Sequence, residues 1–165
     1  MTFHVELHGI GVDVPDGWEA ELAWAGGDRP DPEASADDLG VLAVRTGGRV
    51  VAHLANFVLP VDRGDYGSGA VEQMDANAVF VSLMEFEPGG RGGVFSVAGL
   101  PQNLRGNDFS PDQLQRRLPG QAGLQRFFAE GDRRFVLYVV VGSYHRRDVL
   151  AAEVNRLLRR VTIGA

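Results

Sequence analysis

Alternation of apolar and polar residues at the start of the chain predicts two strands and a hairpin. Residues 3–7 alternate in this way, and residues 10–14 continue the pattern past Gly9. A period of two is typical of half-buried strands. The Pro-Asp-Gly sequence at residues 15–17 favours a tight turn, because proline presets φ and glycine accepts a positive φ. We therefore predict a hairpin over residues 10–24.

Longer apolar runs later in the chain predict the interior of a sheet. The predicted strands that follow a polar surface loop at residues 26–38 cover residues 39–45, 50–59, 79–86, 94–97, 123–130 and 133–141. The last of these is apolar on both faces, so both faces must be covered. Short helices are predicted from Ser68 to Met74 and over residues 111–116, where Ser110 precedes a proline.

Residues 146–160 show the spacing of an amphipathic helix, with apolar residues at Leu150, Val154, Leu157 and Leu158. Asp148 near its start and arginines near its end suit the helix dipole. The whole pattern predicts one α+β domain over residues 1–165. We expect an antiparallel sheet of about six or seven strands, with the long C-terminal helix packed on one face.

Composition narrows the classes of function. Hydrophobic residues make up 44% and charged residues 23%, as in ordinary globular proteins, and a net charge of −6 argues against nucleic-acid binding. All 16 basic residues are arginine, which is typical of a bacterial protein from a GC-rich genome and excludes lysine chemistry. The chain has no cysteine, which excludes thiolate sites. We predict a cytoplasmic protein with no membrane span and no cofactor.

The histidines and glycine-rich segments give no strong catalytic motif. His4 and His8 would share one face of a straight strand, but no carboxylate and third histidine accompany them, so we predict no metal site. His53 is interpreted as a hydrogen-bonded histidine of the core or a sheet edge, and His145 as a capping or surface residue. The glycine-rich loop at residues 64–69 is interpreted as a tight connection, with a phosphate cradle as the alternative.

Two sets of residues are candidates for binding. Residues 103–125 form a long polar stretch, in which Arg116 and Arg117 lie near Phe109, expected to be exposed. With Arg91 on the hairpin tip at residues 88–93, these residues are predicted to contact a protein partner. An ordinary packed crossover is the alternative for the long stretch. A second hypothesis is a small-molecule pocket between sheet and helix, edged by His53, Tyr66 and Arg126.

The order of elements, together with Val14-Pro15-Asp16-Gly17-Trp18 near the start, resembles the PsbP-like fold family. This family includes photosystem II extrinsic proteins and Ran-binding release factors. The resemblance implies an antiparallel sheet between helices and accessory or binding work rather than catalysis, and no family site maps onto these residues. We expect a non-enzymatic accessory or interaction domain with an unidentified protein partner, with a homodimer as one form of that hypothesis. A small-molecule-binding protein or minor enzyme is the alternative.

Overall fold

The computed structural model describes residues 2–22 and 48–164. This part of the chain has the predicted α+β architecture, with eight strands and one α-helix: β1 (Phe3–Leu7), β2 (Ile10–Val14), β3 (Glu19–Leu22), β4 (Arg49–Ala55), β5 (Val79–Phe86), β6 (Ala122–Glu130), β7 (Arg133–Val141), α1 (Arg147–Leu158) and β8 (Val161–Ile163). Trp24, the predicted loop at residues 26–38, the predicted strand at residues 39–45 and most of the turn after it lie outside the described residues.

The strands form two antiparallel sheets rather than one. Five strands lie in the order β3-β4-β5-β7-β6, and three lie in the order β1-β2-β8. The predicted hairpin over residues 10–24 is therefore wrong, because β2 pairs with β1 and β8 while β3 pairs with β4. A two-residue turn explains the difference. His8 and Gly9 have φ values of 48° and 78°, the left-handed values that join two twisted strands tightly.

One face of the five-stranded sheet is covered by α1 and the three-stranded sheet. Leu150, Val154, Leu157 and Leu158 of α1 are buried against Leu137 and Val139 of β7, as their helical spacing predicts. β8 follows α1 closely and pairs with β2, with Val12 opposite Val161. The apolar stripe of the helix therefore closes the main core.

The opposite face is covered by loops. Phe80, Met84 and Tyr138 lie in a second apolar cluster, which also contains Tyr66 and Val71 from the segment between β4 and β5. Phe80 and Tyr138 are buried completely or almost completely. Both faces of β5 and β7 are thus covered, as their continuous apolar character predicts.

Several short elements differ from the sequence pattern. The predicted strand at residues 94–97 is a 3-10 turn, Gly93–Phe95, followed by a single bridge from Ala98 to Ala129. Ser96, inside the predicted strand, has φ and ψ values of −74° and −22°, which are helical and not extended. The predicted short helices are the 3-10 turns Val71–Gln73 and Pro111–Gln113, the second of which has the predicted Ser110 cap.

Within residues 2–22 and 48–164, we found no helix with the length and apolar character needed to cross a bilayer.

Candidate functional site

A row of polar residues crosses the five-stranded sheet on its loop-covered face. The strand registers place five residues side by side, one from each strand, in the spatial order Glu21, His53, Ser82, Tyr138 and Gln125. Side chains directly opposite one another in neighbouring strands point to the same face. The row therefore runs through an otherwise apolar layer, where each polar atom needs a partner.

The segment that follows β4 provides partners for the middle of the row. The carbonyl oxygen of Asp65 accepts from His53 Nε2 at 2.9 Å and from Ser82 Oγ at 2.7 Å. Next to it, Tyr66 packs edge-on against Tyr138, with ring centroids 5.1 Å apart. The backbone of this loop is therefore held directly over the centre of the sheet.

Arg63 fixes the tautomer of His53. Its Nε donates to His53 Nδ1 at 2.7 Å, and its terminal nitrogens donate to the carbonyl of Pro60 and to Glu21, each at 2.7 Å. A guanidinium can only donate, so Nδ1 is the acceptor and the ring proton lies on Nε2. The arginine side chain is only 7% exposed.

This arrangement limits the chemistry of the row. His53 uses Nε2 as a donor to Asp65, and Ser82 donates to the same carbonyl oxygen. His53 therefore offers no lone pair to Ser82, as a serine nucleophile would need from its base. The contacts that we see are structural: they attach a loop to the sheet. The prediction that His53 is a hydrogen-bonded core histidine is confirmed, because it is 5% exposed.

The far end of the row anchors a second loop. Tyr138 Oη accepts from the backbone N–H of Gln115 at 2.9 Å, and Gln113 Oε1 accepts from the backbone N–H of Gln125 at 3.1 Å. Gln113 also donates to the carbonyl of Asp108 at 2.9 Å. The polar stretch before β6 is therefore packed onto the sheet, which agrees with the packed-crossover alternative for much of its length.

An open groove lies beside this second loop. Its volume is about 420 Å³, and its lining includes Pro111, Leu118, Pro119 and Tyr144, with Arg117 and His145. The N–H of Tyr144 donates to the carbonyl of Gly120 at 2.7 Å, which joins the two walls. Because volumes of roughly 300 to 1,000 Å³ are usual for small-ligand sites, the groove is large enough to hold a side chain or a small molecule.

Arg147 holds Tyr144, the aromatic wall of the groove, in place. The guanidinium carbon of Arg147 lies 4.1 Å from the centroid of the Tyr144 ring, and its NH1 donates to the Tyr144 carbonyl at 3.0 Å. A cation over the ring face restricts the ring. On the opposite rim, Arg117 forms an exposed ion pair with Asp112. The groove therefore combines a fixed aromatic surface with a solvent-exposed cation.

The structure separates the residues predicted to hold a small molecule. His53 lies on the loop-covered face, and Tyr66 lies in the loop over it. Arg126 is in register between Leu124 and Phe128 of β6, both of which face α1, and it contacts Asp108 at 3.3 Å. Since side chains alternate along a strand, Arg126 points away from His53. The three residues do not converge on one pocket.

The residues predicted to contact a partner are also separated. Arg117 lines the groove, and neighbouring Arg116 lies 3.5 Å from Glu72. Arg91 belongs to the loop that bonds to Asp132, at the other end of the β6–β7 hairpin. The expected exposure of Phe109 is wrong: its ring is 2% exposed and packs into the main core. It serves as an apolar anchor for the polar stretch.

The histidine pair that a straight strand would have made is not formed. His8 lies in the left-handed turn after β1, so the strand ends before it. His4 instead bonds to Asp13 at 2.8 Å. In the part of the chain that the structure describes, no three acidic or histidine side chains lie close enough together to hold a metal ion.

Comparison with protein-family models, with curated proteins and with solved structures found no match to this chain.

Sequence reasoning did not identify the polar row or Tyr144. His53, Ser82 and Tyr138 each interrupt an apolar run, in β4, β5 and β7 respectively. That pattern is a usable signal, because a buried polar group needs a partner. The strand order that aligns the three residues, however, cannot be predicted from the sequence of any one strand.

Proposed function

We propose that the protein is a non-enzymatic bacterial accessory domain that binds another protein through the groove at Tyr144. The observation that supports this proposal is the groove itself, with an aromatic wall fixed by Arg147 and a cation, Arg117, on the opposite rim. Residues fixed before binding lose little entropy when a ligand arrives. Aromatic and arginine side chains also contribute much of the energy of protein interfaces.

The lining of the groove indicates the kind of segment that would bind. Pro111, Leu118 and Pro119 offer apolar surface of fixed shape, and Tyr144 offers a flat ring. The side chain of Arg117 is 67% exposed and forms an ion pair with Asp112. We infer a partner segment with an apolar side chain beside a carboxylate, so that the apolar group enters the groove and the carboxylate reaches the rim arginine.

The same proposal includes three expectations from the sequence. They are a cytoplasmic location, a bacterial origin and a resemblance to the PsbP-like family. The family resemblance implies an accessory role that depends on binding rather than catalysis. An open groove of modest size is consistent with such a role. We also propose that two copies of the chain associate. Fractionation of the source cells, with an antibody against the protein, tests the location: recovery in the membrane fraction or the culture medium would contradict it.

Selection from a displayed library of random peptides tests the groove. The wild-type protein should enrich sequences with an apolar residue next to Asp or Glu. Tyr144→Ala should lose this enrichment, whereas Tyr144→Phe, which keeps the ring, should retain it. For an enriched peptide, Arg117→Ala should weaken binding about fivefold, roughly 1 kcal/mol. No enrichment by the wild-type protein, or equal enrichment by Tyr144→Ala, would show that the groove is not a peptide site.

A small carboxylic acid is the second candidate ligand, favoured by the volume of about 420 Å³. Titration with benzoate, followed by amide resonances, separates the two candidates. Saturable shifts at Gly120, Gln121 and Tyr144, absent in Tyr144→Ala, would support the small molecule. If displayed peptides bind and benzoate causes no shifts at these amides, the protein-binding function is supported instead.

A further inference from the structure

Within residues 2–22 and 48–164, the outer edge of β1 carries backbone groups that no strand pairs with. β1 pairs with β2 in a register that sets Leu7 opposite Ile10, across the two-residue turn. In such a hairpin the residues that flank the turn form a hydrogen-bonded pair, and bonded and non-bonded pairs then alternate. Val5 and Phe3 therefore direct their peptide groups toward β2. His4 and Glu6 direct theirs outward.

No strand pairs with this edge within the part of the chain that the structure describes. β1 has β2 as its strand partner there, and the hydrogen bonds of the turns and loops include none to the backbone of His4 or Glu6. A free edge is a template for pairing with another strand. Phe3, at the start of the same strand, is 50% exposed.

The sequence of β1 is complementary to itself in one antiparallel register. If Val5 lies opposite Val5 of a second copy, His4 lies opposite Glu6, and Phe3 opposite Leu7. The outward groups of His4 and Glu6 then form two hydrogen-bonded pairs, each with two N–H to carbonyl bonds. The register that satisfies the backbone is thus also the register that matches side chains.

Charge favours this register over its neighbours. Aligning His4 with its own copy, or Glu6 with its own copy, would set like charges opposite each other, which destabilises a strand pair. The register centred on Val5 sets a histidine opposite a carboxylate at both ends. Asp13 and Glu6 already favour the charged form of His4 through hydrogen bonds, so the pKa of His4 is raised. The charged side chains of His4 and Glu6 disfavour pairing of this edge with other strands. They are complementary, however, to the same side chains of a second copy.

We propose that β1 pairs with β1 of a second copy about a two-fold axis at Val5, joining two three-stranded sheets into one six-stranded sheet. This inference rests on the proposed self-association and specifies its surface. The two-fold arrangement closes on itself, so it gives a dimer rather than a fibre. Because the contact is one short strand and the exposed ring of Phe3, we expect a small, concentration-dependent interface.

Proline substitution tests the edge without breaking the hairpin. The N–H of Glu6 points outward, so Glu6→Pro removes a bond to the second copy and leaves the pairing with β2 intact. Sedimentation equilibrium should show that the wild type dimerises at high concentration. In Glu6→Pro the affinity of dimerisation should fall at least tenfold. A circular dichroism melt checks that the variant folds. A monomeric wild type would overturn the self-association itself. A dimer that Glu6→Pro leaves unchanged would overturn only the assignment to β1.

A charge exchange tests the register. Glu6→Arg sets arginine opposite His4 and should weaken the dimer, and His4→Glu should do the same by opposing Glu6. The double substitution restores opposite charges at both positions and should recover dimerisation. Glu87→Arg makes the same change of charge at an exposed site after β5 and should have no effect. Failure of the double variant to recover would contradict the pairing of His4 with Glu6.

Cysteine cross-linking locates the axis, since the natural chain has no cysteine. Directly opposed residues of a non-bonded pair have Cα atoms about 4.5 Å apart, within the range of a disulfide. Val5→Cys should therefore form a cross-linked dimer under mild oxidation. Phe3→Cys should not, because its copies would lie about 14 Å apart along the strands. Equal cross-linking of both variants would exclude this axis, and none of these results depends on what the groove binds.

Discussion

Glu85 of β5 and Arg133 of β7 form a two-pronged ion pair within the five-stranded sheet, and Arg133 also reaches the end of the smaller sheet. Arg133 Nε lies 2.7 Å from one carboxylate oxygen of Glu85, and its NH2 lies 2.8 Å from the other. The remaining terminal nitrogen donates to the carbonyl of Gly164, just after β8, at 3.0 Å. One side chain thus connects β5 of the larger sheet with the end of the smaller sheet. The hydrogen bonds that Arg133 donates to Glu85 raise the pKa of Arg133.

Removing this arginine should destabilise the fold. The side chains of Arg133 and Glu85 are only 18% and 13% exposed, so Arg133→Ala leaves a nearly buried carboxylate without its partner. We expect a loss of about 2 to 3 kcal/mol in the free energy of unfolding, measured in urea. Arg117→Ala removes an arginine from an exposed pair with Asp112 and should cost less than about 1 kcal/mol. Similar losses in both variants would show that the Glu85 pair has no special role.

Asn155 of α1 holds the polar stretch before β6 through the backbone of Leu104. Its side chain accepts from the Leu104 N–H and donates to the Leu104 carbonyl, each at 2.8 Å. Asn155→Leu keeps the branching of the side chain but leaves both buried groups of Leu104 unpaired, so we expect a loss of roughly 2 to 4 kcal/mol in unfolding free energy.

The neighbouring residue Asn103 provides the matched control for that substitution. Its side chain is exposed, so Asn103→Leu should change stability by less than about 0.5 kcal/mol. Hydrogen exchange at the Leu104 amide gives a second measurement, which should become faster in Asn155→Leu alone. Unchanged exchange there would contradict the role given to Asn155.

Gly67 allows the loop over the polar row to lie flat on the sheet. It has a φ of 86°, and a Cβ placed on it would lie 2.6 Å from the ring of Phe80. Gly67→Ala therefore adds a steric overlap to an unfavourable φ, and we expect a loss of about 2 to 4 kcal/mol in unfolding free energy. Gly17 has a φ of 81° and nothing within 4 Å of such a Cβ. Gly17→Ala should cost only about 1 kcal/mol, and equal losses in the two variants would exclude the overlap as the cause.

His4 should contribute to stability in a pH-dependent way. Hydrogen bonds to Asp13 and Glu6 raise its pKa above the ordinary value of 6.5. A group whose pKa is raised by folding stabilises the protein fully below the unfolded pKa. That contribution is lost as the pH rises through the folded pKa. Titration of the His4 ring by NMR should show the raised pKa.

Substitution of Asp13 identifies the cause of that shift. Asp13→Asn removes the carboxylate whose hydrogen bond is the main cause of the shift, so the pKa of His4 should move down toward 6.5. Asp112→Asn changes a carboxylate that pairs with Arg117 instead and should leave the His4 titration unchanged. An unshifted His4 curve in Asp13→Asn would assign the raised pKa to another group.

The sequence predicted the second half of the fold better than the first. β7 and α1 carry strong local patterns, a continuous apolar run and a regular helical stripe, and both formed as predicted. The strands that pair with β2 could not be predicted from the sequence around it. Its two neighbours are β1, across a two-residue turn, and β8, about 150 residues away, a strand of three residues. A strand that short is below the length at which periodicity is informative.

The candidate site was less predictable than the fold, because it depends on register between distant strands. Arg117 was selected from its neighbourhood in the sequence and does line the groove. Phe109 was selected by the same reasoning and is buried, because an apolar residue in a polar stretch is often the anchor that packs it. The link from Arg63 to His53 depends on a loop folding back over the sheet, which no spacing rule describes.

The pairing of β2 with β8 has a consequence for the order of events on the ribosome. Gly11 lies opposite Thr162, so the smaller sheet lacks its third strand until translation has passed residue 163. Contacts this distant in sequence form late, because a long loop must close first. The β1–β2 hairpin must therefore wait for β8 while the roughly 150 residues between them are synthesised, and during that time the edge of β2 that β8 later covers stays open to other strands.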